Sequence, residues 1–79
     1  MRILVKYFAF FKEKTGVNQE CIEMGNGKTI AELLKIIIEK YNLQNKENIV
    51  LSLNQEYVKD DVPLQDGDEV ALMTPSSGG

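Results

Sequence analysis

A single stretch of helical periodicity most restricts how this chain can fold. Its apolar residues recur three or four positions apart and therefore line one helix face; they are Ile30, Leu33, Leu34, Ile37, Ile38 and Tyr41. Thr29 and Glu32 have the spacing of a capping box, in which each side chain accepts a hydrogen bond from an otherwise unpaired backbone N–H at the helix start. The chain has only 79 residues. This one helix must therefore cover one face of a sheet, and layouts with several helices, such as a Rossmann fold, are excluded.

The segments on both sides of this helix alternate between apolar and polar residues in the manner of strands. We predict strands at residues 2–9, 18–24, 49–53 and 69–73, and a short strand at 57–58 after a reversal at 54–56. A short helical turn or a loop that stops near Gly16 is predicted at 10–14, and Gly67 is expected to have a positive φ in a turn. This order is typical of the α+β class and of the β-grasp arrangement of ubiquitin, a mixed sheet covered on one face by one main helix. In it the first and last strands are adjacent and parallel.

The charge balance narrows the choice of partners. Twelve acidic residues against nine basic ones give a net charge of −3, which argues against nucleic acid or an anionic membrane and favours a basic-faced protein. The longest apolar run, at residues 7–11, is far shorter than the run of about 20 residues that spans a bilayer. Cys21 is the single cysteine, so no internal disulfide can form and a cytoplasmic location is expected. We expect Cys21 to be a small side chain that fills a position in a strand.

No set of residues in the sequence is suited to catalysis within this chain. Without a histidine, neither a Ser-His nor a Cys-His nucleophile can be assembled. The acidic pair Asp60-Asp61 and the acidic residues Asp66, Asp68 and Glu69 lack the spacing of a calcium loop, and turn chemistry explains them. We predict no metal site.

The residues after the last strand have no apolar side chain to bury. We predict a folded domain at residues 1–73 and a mobile tail at 74–79, which ends in Gly78-Gly79. A frayed end or a linker remnant would explain two terminal glycines. Alternatively, the Gly79 carboxylate is itself the reactive group, because an unhindered carboxylate can be activated to an acyl-adenylate. Small residues can also enter a narrow tunnel in another protein; the tail residues that would do so are Pro75, Ser76, Ser77 and Gly78.

Strand parity also predicts a docking surface beside the tail. If Ile3, Val5 and Tyr7 face the helix, then Phe8 and Met73 face away from it at the ends of two adjacent strands. Two exposed apolar side chains beside a functional tail indicate a partner-binding patch, which Tyr57 extends. The alternative is that Phe8 only covers the sheet edge or packs against Phe11.

Three segments of the chain carry a family resemblance: the run from Gly67-Asp68-Glu69-Val70 to Gly78-Gly79, the stretch of residues 54–58 with 63–66, and the first strand at residues 5–9. Together they resemble the small, sulfur-carrier subunit of molybdopterin synthase, in the MoaD/ThiS-like, ubiquitin-related family. The chain differs from that family's usual pattern at Thr74 and Ser76, where proline and valine are more frequent.

The resemblance implies a carrier without catalytic residues of its own. An E1-like adenylyltransferase would use ATP and Mg to adenylate the Gly79 carboxylate, and a sulfur donor would convert it to a thiocarboxylate. The tail would then enter the large subunit of molybdopterin synthase, within a heterotetramer, and pass sulfur to a cyclic pyranopterin precursor. This chain would bind no cofactor.

Two other kinds of function are compatible with the same fold and tail. One is a sulfur carrier for thiamine or another thiolated product, or a ubiquitin-like modifier. The other is a non-covalent β-grasp interaction module with an inert tail.

Overall fold

The computed structural model describes residues 1–44 and 49–75, within which five strands and two helices form. In chain order they are β1 (Arg2–Tyr7), α1 (Phe10–Thr15), β2 (Gln19–Glu23), α2 (Ile30–Tyr41), β3 (Val50–Leu53), β4 (Glu56–Val58) and β5 (Glu69–Met73). The strands form one sheet in the order β2-β1-β5-β3-β4. β1 and β5 pair in parallel at its centre, and the other neighbours are antiparallel. The predicted β-grasp fold is confirmed.

α2 has the predicted start and end. The Glu32 backbone N–H donates to Thr29 Oγ1 at 3.4 Å, and the Thr29 backbone N–H donates to Glu32 Oε1 at 3.0 Å, which completes the capping box. Asn42 ends the helix in a left-handed conformation with φ 55°. The helix buries Ile30, Leu33 and Ile37, so its apolar face packs on the sheet.

The core lies between α2 and one face of the sheet. Alternate residues of β1 and β5 are directed into it because successive side chains of a strand point to opposite faces. Tyr7 and Phe11 are its largest members. Its other buried residues are Ile3, Val5, Ile22, Met24, Ile30, Leu33, Ile37, Leu43, Leu64, Val70 and Leu72. The opposite face of the sheet is not covered by a described helix.

α1 is a short helix that buries only Phe11. It ends at Gly16, whose φ is 79° and whose backbone N–H donates to the Lys12 carbonyl at 2.9 Å. The positive φ is the usual reason for glycine at a helix end. Neither helix of the described ranges is long and apolar enough to cross a membrane.

Several predicted strand boundaries were wrong by one or two residues. β1 ends at Tyr7 and not at residue 9, because Ala9 has φ 49° and ψ −119° and a turn begins there. The reversal after β3 uses only Asn54 and Gln55, with φ values of 51° and 72°, as in a two-residue type I′ hairpin turn. β4 therefore begins at Glu56, one residue before the predicted start at Tyr57. The bounds predicted for β5 are confirmed, and Gly67 has the expected positive φ, 88°.

Candidate functional site

The sheet face opposite α2 carries a row of paired residues across all five strands. The pairing register places Gln19, Lys6, Ala71, Ser52 and Tyr57 side by side in that order. Ala71 and Ser52, on the two neighbouring central strands β5 and β3, are small and nearly inaccessible to solvent. They form a floor below the longer side chains around them.

Larger side chains surround this floor and enclose an open depression of about 370 Å³. Phe8 and Tyr57 line it and are 47% and 75% exposed, and half-buried Met73 lines it as well. The structure thus brings together the three side chains predicted to bind a partner. Their binding role stays a prediction. We call this feature the open-face depression; its lining residues are Lys6, Phe8, Ser52, Gln55, Tyr57, Glu69, Ala71 and Met73.

The alternative for Phe8, that it packs against Phe11, differs from the observed packing. The ring in edge contact with Phe11 is that of Phe10, at a centroid separation of 5.3 Å. Phe8 instead follows the last residue of β1, and its backbone N–H donates to the Leu72 carbonyl at 3.1 Å. That hydrogen bond holds Phe8 beside the end of β5.

Two charged residues of the open-face depression were missed by sequence reasoning. Lys6 Nζ lies 3.5 Å from Glu69 Oε2, with both side chains partly exposed. A pair this exposed contributes little to stability, so its main effect is to place one positive and one negative charge beside the apolar walls. The signal was available: Lys6 and Glu69 alternate with the core residues Val5 and Val70.

A second concavity lies where the chain leaves β5. We call it the tail groove; it has a volume of about 840 Å³ and is lined by Ile49, Val50, Leu51, Tyr57, Val58, Lys59, Met73, Thr74 and Pro75. Tyr57 and Met73 line both concavities, so one continuous surface extends from Phe8 to the first tail residues. Pro75 is exposed. The other predicted tail residues, Ser76, Ser77, Gly78 and Gly79, lie outside the described residues.

The β3–β4 turn holds Tyr57 over this surface. Asn54 fixes the turn to β5: its backbone N–H donates to the Glu69 carbonyl at 2.7 Å, and its Oδ1 accepts from the Glu69 N–H at 3.0 Å. Asn54 Nδ2 also donates to Asp68 Oδ1 at 3.1 Å. Asparagine tolerates the left-handed backbone that this turn requires. The turn that carries Tyr57 is therefore tied to the strand that leads into the tail.

Glu20 forms a polar cluster on the helix side of the sheet, away from the open-face depression. Its carboxylate accepts hydrogen bonds from the Tyr7 hydroxyl at 2.6 Å, the Tyr41 hydroxyl at 2.5 Å and Lys40 Nζ at 2.6 Å. Burial acts to raise the pKa of the Glu20 carboxyl, but the hydrogen bonds from Lys40 and the two tyrosines outweigh it and the pKa is lowered. Burial, and then the hydrogen bond to Glu20, raises the pKa of the Tyr7 hydroxyl.

The remaining candidate residues have structural surroundings. Cys21 lies within β2, as predicted, and is exposed; it points away from the face that holds Ile22. Asp66 Oδ1 accepts from the Arg2 N–H at 2.8 Å, and Asp68 Oδ2 accepts from the Gln65 N–H at 2.8 Å. Turn and backbone hydrogen bonds thus account for these two acidic residues, as predicted. The described residues include no group of acidic or cysteine side chains that could hold a metal ion.

Comparison with known proteins assigns this chain to a family. A family model described as the ThiS family matches residues 5–79. The molybdopterin synthase sulfur carrier subunit of Chlamydomonas reinhardtii is 43% identical, and the alignment covers 100% of both chains.

Two solved structures are similar over nearly the whole chain. A Pyrococcus furiosus protein named for subunit 1 of molybdopterin converting factor has a TM-score of 0.86 at 30% identity, covering 96% of this chain and 99% of that one. A chain in the complex of subunits 1 and 2 of molybdopterin-converting factor from Helicobacter pylori has a TM-score of 0.75 at 30% identity, covering 100% of both. The family match over residues 5–79 and the full-length relative lead to one conclusion: the chain belongs to the ThiS family, among the sulfur carrier subunits of molybdopterin synthase.

Proposed function

We propose that the terminal carboxylate of Gly79 is the group on which this subunit carries sulfur in molybdenum cofactor synthesis. The observation that carries the proposal is the full-length relationship to sulfur carrier subunits, because the family match extends to residue 79. The position of Phe8, Tyr57 and Met73 beside the end of β5 supports it. A partner that contacts these side chains would have the tail within reach.

Activation of Gly79 takes place in a partner enzyme. An E1-like adenylyltransferase binds ATP and Mg; the carboxylate attacks the α-phosphate, pyrophosphate leaves, and an acyl-adenylate forms. A sulfur donor at the oxidation level of sulfide then attacks the acyl carbon and displaces AMP, which leaves a thiocarboxylate. This chain binds neither ATP nor metal in the proposal. The need for ATP fits a cytoplasmic location.

The large subunit of molybdopterin synthase receives the loaded tail. The Helicobacter pylori structure is a complex of subunits 1 and 2, and we extend that association to this chain, with two copies of each subunit in a heterotetramer. The tail residues Pro75, Ser76, Ser77 and Gly78 pass through a narrow entrance, where side chains without bulk are required. Residues 74–79 act as the tail of a domain that ends at residue 73.

Sulfur transfer then returns the carrier to its starting state. The thiocarboxylate sulfur bonds to a carbon of the cyclic pyranopterin precursor in the large subunit and displaces an oxygen substituent from that carbon, and water then cleaves the acyl–sulfur bond. The sulfur stays on the pyranopterin as part of the dithiolene, and the carboxylate of Gly79 is restored. The acids and bases for these steps belong to the large subunit.

Intact-mass spectrometry tests the proposal. We expect incubation with ATP, Mg, the activating enzyme and a sulfur donor to add the mass difference between one sulfur and one oxygen atom. A chain that lacks Gly78 and Gly79 is the control; it should fold equally well and show no such increase. Absence of the increase in the full chain, with an activating enzyme that loads another carrier subunit, would contradict the proposal.

The same assay separates the alternatives. A carrier for thiamine or another thiolated product would be loaded but would give no molybdopterin with the large subunit. A ubiquitin-like modifier would form a covalent bond to a protein amine. An interaction module with an inert tail would keep its partner affinity after Gly78 and Gly79 are removed and would not be loaded.

A further inference from the structure

Ser52 is a buried polar residue on the open face of the sheet. It lies on β3 between Ala71 of β5 and Tyr57 of β4, and it is 7% exposed. Its neighbours Leu51 and Leu53 pack against the hydrophobic core, so the Ser52 side chain points to the opposite face of the sheet. The Ser52 hydroxyl therefore lies at the floor of the open-face depression, which this residue lines.

The fold supplies no hydrogen-bond partner for this hydroxyl. The side-chain hydrogen bonds of the β3–β4 hairpin all involve Asn54, and no other residue within 1–44 and 49–75 bonds to Ser52 Oγ. Every described side-chain nitrogen or oxygen that is sealed from solvent has a partner, so the unpaired Ser52 hydroxyl still reaches solvent. A protein that covers the open-face depression would remove that access.

The surroundings of Ser52 specify what can cover it. An entirely apolar side chain would leave the hydroxyl buried without a partner, which costs binding free energy. The walls formed by Phe8, Tyr57 and Met73 nevertheless favour an apolar body. Both conditions are met by a side chain that is apolar along its length and can form a hydrogen bond at its tip, as tyrosine does in many interfaces.

The charges at the rim favour a neutral tip. Lys6 Nζ lies 3.5 Å from Glu69 Oε2, so the positive and negative charges that line the depression compensate each other. A charged tip would have to separate this pair or be buried against a neutral hydroxyl, and both are costly. A neutral tip leaves the pair in place and needs only the hydrogen bond from Ser52.

We propose that Ser52 is a specificity-determining residue of the docking surface: its hydroxyl forms a hydrogen bond with the neutral polar tip of one side chain that the large subunit inserts into the open-face depression. The inference rests on the proposed function, because it assumes that the large subunit covers this face. Ser52 takes no part in the sulfur chemistry.

The variant Ser52→Ala tests the hydrogen bond. We expect its affinity for the large subunit of the same organism's molybdopterin synthase, measured by calorimetry, to fall about five- to twentyfold, because the inserted polar tip loses its partner. Urea unfolding of the isolated chain should change little, since the hydroxyl has no partner in the fold. A higher affinity would show that an apolar side chain covers Ser52, and an equal affinity that no polar group reaches it; either result overturns the inference. A large loss of stability would assign Ser52 a structural role instead and would also overturn it.

The variants Lys6→Gln and Glu69→Gln test whether the tip is neutral. Neither should disturb the fold, because an exposed ion pair contributes little to stability. We expect each to change the affinity less than Ser52→Ala does. A cationic tip would bind more weakly to Glu69→Gln and more tightly to Lys6→Gln, and an anionic tip would do the reverse. Either pattern, with changes larger than that of Ser52→Ala, would refute the neutral tip. Failure of the wild-type chain itself to bind the large subunit would contradict the proposed function instead.

Discussion

At the level of single residues, Glu20 links β2 to β1 and to the end of α2. Its carboxylate is the shared acceptor of Tyr7, Tyr41 and Lys40, and the rings of the two tyrosines meet edge to face at 5.9 Å. Strand parity places Glu20 on the same side as Ile22, so a carboxylate on the helix-facing side is visible in the sequence. The three hydrogen-bond donors to Glu20 cannot be identified from the sequence, because they lie 13 to 21 positions away. They come together only when α2 packs on the sheet.

We predict that Glu20→Gln lowers the free energy of unfolding by about 1–2 kcal/mol at neutral pH, since a neutral amide is a weaker acceptor and must direct its NH2 group at a donor. The Glu20 side chain is largely buried. Because folding lowers its pKa, the ionised carboxylate stabilises the fold above the pKa of the unfolded chain, and this contribution is lost as pH falls through the folded pKa.

Urea unfolding at a series of pH values checks this prediction. The difference between wild type and Glu20→Gln should be largest near neutrality and should shrink as the carboxyl becomes protonated. Glu39→Gln, at an exposed site on α2, is the matched control and should change little. A difference that stays constant down to acid pH would show that the charge of Glu20 does not contribute.

At the level of elements, the ends of a helix or strand could be predicted where the contacts that determine them lie within that element or next to it. The ends of α2 depend on Thr29, Glu32 and Asn42, which lie within the helix or next to it, and the predicted bounds hold. The end of β1 depends on the turn at Ala9, which is held by β5 and by the burial of Phe11. No local pattern contains those contacts, so the predicted strand ran two residues too far.

The capping box of α2 yields a second prediction. Thr29→Ala should destabilise the protein by about 1 kcal/mol, because the Glu32 N–H loses its acceptor at the helix start. The melting temperature measures this effect. Thr29→Ser keeps the hydroxyl and should melt close to the wild type. Equal melting temperatures for wild type and Thr29→Ala would mean that solvent replaces the cap at no cost.

At the level of the whole molecule, the parallel pairing of β1 and β5 places Phe8 and the start of the tail at the same end of the sheet. Sequence parity was enough to predict this neighbourhood and its apolar members Phe8, Tyr57 and Met73. It did not predict the depression itself, because the small floor of Ala71 and Ser52 is formed only when β3 and β5 pair in register.

This arrangement predicts that Phe8→Asp weakens binding to the large subunit by about 2 kcal/mol, or about thirtyfold, as expected for a hot-spot residue. The fold should not change, because Phe8 is outside the core. Calorimetric titration gives the affinity, and circular dichroism confirms folding. Ile36→Asp replaces a similarly exposed apolar residue, 38% exposed and on α2, and should bind like the wild type. Unchanged affinity in Phe8→Asp would remove Phe8 from the interface.

The central position of β5 also determines how the folded domain responds to a pulling force on the tail. β5 is paired with β1 along one edge and with β3 along the other. A pull on the residues after Met73 therefore acts along β5 and applies a shearing force to the backbone hydrogen bonds on both of its edges. The hydrogen bonds then bear the load together and do not open one at a time, as they would if an edge strand were peeled away. Under the proposed function, a partner that draws the tail into a narrow channel and later releases it would therefore leave the attached domain folded.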